Sequence, residues 1–149
     1  MADRSLGVSV PGAIRLLFAY EGSRIRLVES ERVEIIAPPG EPKPIPKRAS
    51  GFWVELRDER GRRLYQQAMR QPVRYDVEVF PENHSELPHY VPRARPEGAF
   101  VVLIPDIPEA RSAVLFSSPP EPERSGEPAM ELLEVLLRQR PARDPGSTG

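Results

Sequence analysis

The residues best suited to bind a metal ion lie in one short polar stretch, residues 81–89. The chain has only two histidines, His84 and His89, and Glu82 and Glu86 lie beside the first of them. Zinc accepts imidazole and carboxylate ligands. Their spacing matches no helix-based zinc motif, however, and two prolines stiffen the stretch away from a compact cage. The sequence therefore predicts an exposed polar loop that holds neither a metal nor another cofactor.

Motifs for nucleophilic or phosphate chemistry are missing from the chain. It contains no Gly-x-Ser-x-Gly elbow and neither of the glycine-rich loops that cradle phosphates. Carboxylates are plentiful, but they alternate with arginines on faces predicted to point to solvent, without the cleft that paired catalytic acids need. Since there is no cysteine, disulfides and thiolate metal sites are excluded. We expect a protein that is not an enzyme.

One group of basic and aromatic residues could contact a nucleic acid through its phosphates and bases. Its members are Lys43, Lys47, Arg48, Trp53, Arg57, Arg60, Arg62, Arg63 and Tyr65. Against this reading, Asp58 and Glu59 lie at the predicted hairpin tip, and the formal net charge is −1. Trp53 also has a structural alternative, packing on a neighbouring strand or under a helix. We expect no nucleic-acid partner.

The elements that position these residues are predicted to be β-strands. The chain contains 19 prolines, too many for an all-helical protein. About seven segments read as strands. Most alternate hydrophobic and polar residues with period two, as half-buried strands do, whereas residues 99–104 are almost wholly apolar, as expected for a strand covered on both faces. The segments are residues 13–21, 24–37, 51–57, 62–69, 73–79, 99–104 and 113–117. The second can be read as one kinked strand or two short ones. This pattern predicts an antiparallel sandwich of immunoglobulin-like architecture.

The central element of this sandwich is a predicted hairpin from Gly51 to Met69. Its turn, residues 58–61, ends on a glycine, where a positive φ angle is needed. Alternation places Phe52, Val54, Leu56 and Leu64 in the core. The opposite face carries Trp53, Arg57, Arg62, Arg63 and Tyr65, which form a candidate contact surface for a partner.

The hairpin also carries the one resemblance to a known family. Its aromatic pair, Glu-x-Arg-Asp, Gly-Arg and Leu-Tyr elements span residues 51–65. They resemble a hairpin of bacterial immunoglobulin-like modules, such as the non-catalytic N-terminal β-sandwich of IgA-peptidase-type zinc metallopeptidases. The peptidase motif His-Glu-x-x-His is absent. The resemblance therefore implies an accessory module and carries over no catalytic residue.

Two proline-rich segments interrupt the hydrophobic pattern. Residues 38–48 contain five prolines and are predicted to cross between the sheets as an extended loop. The same segment could instead be a ligand for a proline-recognising groove. Residues 119–128 read as a proline-rich linker by composition.

Beyond this linker the hydrophobic period changes. Leu132, Leu133, Leu136 and Leu137 share one face of a helix, with glutamates early and arginines late, which suits the helix dipole. The pattern predicts an amphipathic helix over residues 129–140, although Glu134–Arg138 could instead add a strand to a sheet edge. The helix would dock on its own sandwich or enter a partner's groove.

The predicted organisation is thus an N-terminal arm (1–12), a sandwich (13–118), a linker (119–128), a helix (129–140) and a disordered tail (141–149). No apolar run is long enough to span a bilayer, so we expect a cytoplasmic protein.

The charge distribution favours contact with a partner. Residues 41–75 carry nine basic and four acidic groups, and residues 76–149 carry seven basic and thirteen acidic groups. A chain polarised in this way can self-associate or meet a charged partner. The sequence therefore predicts a non-enzymatic interaction or structural module of bacterial type, which could be a subunit or accessory of a larger assembly. Its candidate surface includes the four leucines. The alternative is a sandwich that binds a small ligand or carbohydrate.

Overall fold

The fold is described from a computed structural model that covers residues 12–73, 76–79, 89–92 and 96–137, with backbone only for the second and third ranges. The predicted N-terminal arm up to Pro11, the candidate metal ligands and the predicted tail lie outside the described side chains.

Nine strands form within the described residues, two more than the alternation indicates. They are β1 (Ala13–Glu21), β2 (Arg24–Val33), β3 (Phe52–Arg57), β4 (Arg63–Met69), β5 (Asp76–Val79), β6 (His89–Pro92), β7 (Glu97–Pro105), β8 (Ser112–Ser117) and β9 (Met130–Leu136). One sheet has the order β2-β1-β7 and the other β4-β3-β8-β9, while β5 and β6 form a separate hairpin. Every pairing is antiparallel.

The two larger sheets enclose one hydrophobic core. β1 contributes Leu16 and Phe18, and β3 contributes Val54 and Leu56, all of them fully buried. These residues lie two apart along their strands, as half-buried strands require. The predicted mainly β, two-sheet sandwich is therefore confirmed.

Leu64 and Ala68, the two residues of β4 that alternation places inward, lie at the surface. Leu64 is 37% exposed, whereas its neighbour Tyr65 packs against the core. The cause is a register shift in the β3–β4 pairing between Leu56 and Arg57, since an extra residue reverses which side chains point inward. The assignment of Leu64 to the core was wrong for this reason.

The predicted C-terminal helix is also wrong. Residues 130–136 form β9, which pairs with β8. A register shift at Leu115/Phe116 leaves Leu132 as the extra residue of a bulge, so the alternation of β9 is broken in the middle. The spacing of Leu132 and Leu133 from Leu136 and Leu137 therefore resembles the period of a helix. The alternative of a strand at the sheet edge describes the structure correctly, although the strand begins earlier than Glu134.

The segment predicted as a linker is tied to the sandwich. Residues Pro122–Arg124 form one turn of 3-10 helix. The backbone N–H of Ser118 donates to the carbonyl of Gly51, and its hydroxyl donates to the carbonyl of Glu127. Among the described residues, no helix has the length and apolar character needed to cross a membrane.

Candidate functional site

The proline-rich segment, taken here as residues 38–50, covers the outer face of the four-stranded sheet. At one end, Tyr65 Oη donates a hydrogen bond of 2.8 Å to the carbonyl of Pro38. Further along, the backbone N–H of Ile45 donates to Gln66 Oε1 at 2.8 Å. At the far end, the N–H of Ala129 donates to the carbonyl of Ala49 at 2.9 Å. The segment therefore runs from β4 to the start of β9.

Trp53 lies on the same outer face as Gln66 and is only 4% exposed. Its ring stacks on Phe116, with centroids 5.3 Å apart and an interplanar angle of 15°. Val114 on the same face is fully buried. Trp53 does point away from the core, as alternation predicts, but it cannot serve as an exposed contact residue because its side chain is buried.

Glu55, also on this outer face, is a buried carboxylate with two partners. Gln66 Nε2 donates to it at 2.7 Å, and Arg57 Nε donates at 2.6 Å. The Arg57 guanidinium lies 5.7 Å from the Phe116 ring centroid and 3.7 Å from a carboxylate oxygen of Glu131. Arg57 is thus engaged within the protein and offers little to a partner.

The turn between β3 and β4 holds a second predicted arginine. Asp58 accepts hydrogen bonds from the backbone of Arg60 and Arg62 and from Arg62 Nε at 2.9 Å. The backbone bond from Arg62, followed by its guanidinium, holds the pKa of Asp58 below its usual range. Gly61 closes the turn with φ 77°, as predicted for this position. Arg63 is exposed at the start of β4. The predicted contact surface of the hairpin is therefore split: Arg57 is held within the protein, whereas Arg62 and Arg63 are exposed at the turn end.

The outer edge of β4 is closed by one residue of the proline-rich segment. The N–H of Glu41 donates to the carbonyl of Gln66 at 2.7 Å, and its carboxylate accepts from the N–H of Ala68 at 2.9 Å. Burial, followed by the charge of Glu41, raises the pKa of nearby Tyr65 to about 12. Sequence reasoning missed Glu41, since nothing local marks a glutamate between prolines as an edge cap.

The other edge of the sheet, β9, carries exposed apolar side chains. Leu136 is 81% exposed, Met130 is 70% exposed and Leu132 is 45% exposed. Leu133 and Leu137 instead pack with the core. The four predicted contact leucines thus separate into two that hold the strand in place and two that face solvent.

A groove with a volume of about 180 Å³ lies beside the start of β9. Its apolar lining comes from Ile25, Val73, Met130 and Leu132, with Ser117, Gln71 and Arg124 among its polar neighbours. Arg124 is itself paired with Glu127 at 2.9 Å, and Gln71 donates to Ser117. Arg124, Gln71 and Ser117 therefore already have hydrogen-bond partners within the protein.

Among the described residues, no group of three or more histidines, aspartates and glutamates is arranged to hold a metal. The polar stretch at residues 81–89, which contains both histidines, lies outside the described side chains. No protein-family model, curated protein or solved structure matches the chain. The geometry of the described residues is therefore the basis for assigning a function.

Proposed function

We propose that this chain is a non-enzymatic protein-interaction module, and that it binds an extended segment of a partner protein along the free edge of β9. The observation that carries this proposal is the contrast between the two edges of one sheet. Glu41 hydrogen-bonds to the outer backbone groups of Gln66 and Ala68 in β4, whereas among the described residues no strand pairs with the outer side of β9, where Leu132 and Leu136 are exposed. Proteins commonly cover or charge their edge strands.

The backbone of β9 supports strand addition. The N–H of Leu137 donates to the carbonyl of Arg111, on the β8 side. Because successive residues of a strand direct their N–H and C=O groups to opposite sides, those of Glu134 and Leu136 point away from β8. An added strand gains affinity from these main-chain groups and specificity from side chains that contact the exposed leucines.

A photo-crosslinking amino acid at position 136, introduced into the full chain in cells of its source, tests this function. We expect discrete crosslinked products at Leu136 and none at Leu64, an exposed leucine on the edge that Glu41 closes. Equal crosslinking at both positions, or none at position 136, would contradict the proposal.

A backbone substitution provides the matched test. Glu134→Pro removes an N–H that faces the free edge, so it should abolish the crosslinked product while preserving the fold. Glu134→Gln keeps that N–H and should retain most of the product. Retained crosslinking in a folded Glu134→Pro variant would argue against main-chain pairing.

A second candidate function is the binding of a small apolar ligand in the groove beside β9. The observation that favours it is the apolar lining from Ile25, Val73 and Met130. Carbohydrate stacking on Trp53 has little support because that ring is covered. Met130→Trp would fill the groove. If the groove is the functional site, this substitution should abolish ligand-induced stabilisation in a screen of apolar compounds, whereas Leu136→Lys should not.

The finer classification is also part of this proposal. An immunoglobulin-like relationship is supported by the two antiparallel sheets and by the β3–β4 hairpin that carries the sequence resemblance. A cytoplasmic accessory subunit of a bacterial assembly would use the β9 edge for docking. Fold alone does not assign that role.

A further inference from the structure

We infer that the segment which adds to β9 is basic, and that it alternates its lysines or arginines with apolar residues, one of which enters the groove beside the start of β9. This inference rests on the proposed function and names the chemistry of the partner segment. It also assigns the groove to that same partner. The groove would then set specificity, while the backbone of β9 supplies the main-chain hydrogen bonds.

The first argument is the charge around β9. Residues 121–137 carry five glutamates and one arginine, a formal net charge of −4. That arginine, Arg124, bonds to Glu127 at 2.9 Å and lies 4.0 Å from Glu121. A surface dominated by one sign of charge attracts segments of the opposite sign and repels others. A basic segment is therefore the complementary occupant of this edge.

Glu134 gives the position of a basic residue in the added strand. Its side chain is exposed, and its N–H and C=O groups face the free edge because the N–H of Leu137 bonds to Arg111 on the β8 side. In an antiparallel pair, the added residue opposite Glu134 exchanges hydrogen bonds with it and directs its side chain to the same face. A lysine or arginine at that position forms a favourable cross-strand pair.

The groove shares two residues with the edge. Met130 and Leu132 line the groove and are also exposed, at 70% and 45%. Ile25, which lines the groove from β2, packs against the core. The groove therefore lies on the core side of β9, whereas Glu134 shares the outer face with its cross-strand neighbour Val114. Because side chains alternate between the faces of a strand, the neighbours of an added basic residue point to the groove side.

The size and lining of the groove suit one large apolar side chain. Its volume is about 180 Å³, and an apolar cavity of about 150 Å³ is large enough to hold benzene. Arg124, Gln71 and Ser117 already have hydrogen-bond partners within the protein. An apolar side chain that enters the groove therefore leaves none of these three without a bond.

Fluorescence anisotropy of a labelled peptide tests this chemistry on the full chain. The probe is a capped peptide of seven residues, the length of β9, in which arginine and leucine alternate. We expect it to bind at least about tenfold more tightly than a peptide whose arginines and leucines are grouped, because only alternation directs them to opposite faces. A probe with glutamate in place of arginine should not bind. An alternating probe that fails to bind, or a grouped peptide that binds equally well, would overturn the inference.

A matched pair of charge reversals locates the basic residue. At about 0.15 M salt, Glu134→Lys should weaken binding of the alternating probe about tenfold, since it places like charges opposite each other. Glu123→Lys makes the same change in net charge within the 3-10 turn, outside β9. It should change the affinity by about twofold or less, because surface charges away from the contact are screened. Equal losses would show a general attraction to the acidic end of the sheet and contradict the assignment.

A groove substitution tests the apolar contact. For the wild-type chain, replacing the leucines of the probe by alanine should weaken binding about tenfold. Met130→Trp fills the groove, so the leucine and alanine probes should bind this variant alike. Ile36→Trp, at a position 79% exposed and outside the sheets, should keep the preference for leucine. A leucine preference that survives Met130→Trp would show that the side chain does not enter the groove.

Failure of this inference is distinguishable from failure of the proposed function. Mass spectrometry of the product crosslinked at position 136 identifies the segment that binds the edge. A segment in which basic and apolar residues alternate supports the inference. A second copy of this chain, or a segment of another protein without basic residues, overturns it and leaves β9 as an interaction edge. The absence of any crosslinked product removes both.

Discussion

The side-chain amide of Gln66 joins Glu55 to the proline-rich segment. Its Nε2 donates to Glu55 Oε1 at 2.7 Å, and its Oε1 accepts from the N–H of Ile45 at 2.8 Å. Gln66 is 6% exposed and Glu55 is 7% exposed. One buried amide therefore satisfies a carboxylate and a backbone donor of the covering layer at once.

Replacing this amide should loosen the covering layer. Gln66→Met keeps the volume of the side chain but leaves Glu55 and the Ile45 N–H without these bonds, so we expect a loss of about 1–3 kcal/mol in the free energy of unfolding. Urea denaturation measures it. Gln67→Met, on the other face of β4, serves as the control and should reduce the free energy of unfolding by less. Equal losses would show that the buried amide has no special role.

The buried position of Trp53 predicts its fluorescence. The chain has one tryptophan, so the signal reports this site alone. We expect blue-shifted emission and weak quenching by acrylamide in the native state, with a red shift on unfolding. Trp53→Ala should cost about 3–5 kcal/mol, as for other large aromatic side chains removed from packed sites. Native quenching as strong as that of the unfolded chain would contradict the covered position.

The raised pKa of Tyr65 predicts a loss of stability in alkali. Its folded pKa is about 12 and the unfolded value is about 10, so the unfolded chain releases this proton first. The stabilisation of the folded chain that comes from this raised pKa is fully present below pH 10 and disappears as the pH rises towards 12. Between pH 9 and pH 12, the melting temperature of Tyr65→Phe should fall less than that of the wild-type chain. An identical decline in both proteins would show that Tyr65 does not contribute to it.

Adjacent positions in β9 should differ strongly in how much a charged side chain reduces stability. Val135 is 7% exposed in the core, so Val135→Lys should unfold the domain or cost several kcal/mol. Leu136 is solvent-facing, so Leu136→Lys should change stability of the isolated chain by about 0.5 kcal/mol or less. Circular dichroism melts at low protein concentration make the comparison. Similar effects of the two substitutions would contradict the strand assignment.

Removing the segment that contains β9 should also be costly. Leu133, Val135 and Leu137 pack with the core, so a chain ending before Ala129 exposes part of both sheets. We expect a clear drop in melting temperature and increased binding of a hydrophobic dye. An unchanged melting temperature would mean that β9 does not dock on its own sandwich.

Much of the sheet structure follows from local pattern. Phe52, Val54 and Leu56 alternate because β3 has a core side and an outer side. Leu64 and Leu132 were misplaced because each lies beside a register shift, and a bulge depends on the partner strand as well as on its own sequence.

The candidate site was less predictable than the sheets. Leu132 and Leu136 were identified as contact residues, but as part of a helix face that the structure does not contain. The hairpin pattern places Trp53 on the outward contact face, and the alternative of packing on a neighbouring strand describes its stack on Phe116 correctly. The proline-rich segment is tied to the sheet by bonds that link Ile45 to Gln66 and Ala49 to Ala129, which a single sequence does not reveal.

The pairing of β1 with β7 has a consequence for synthesis in the cell. It places Ala13 opposite Pro105, which is far away in the sequence, whereas β1 and β2 are joined by a tight turn. The first hairpin therefore leaves the ribosome long before β7 is made, with an apolar strand edge open to other chains. Slow, non-local pairing of this kind exposes a nascent chain to aggregation. Chaperone binding during translation should accordingly concentrate on β1.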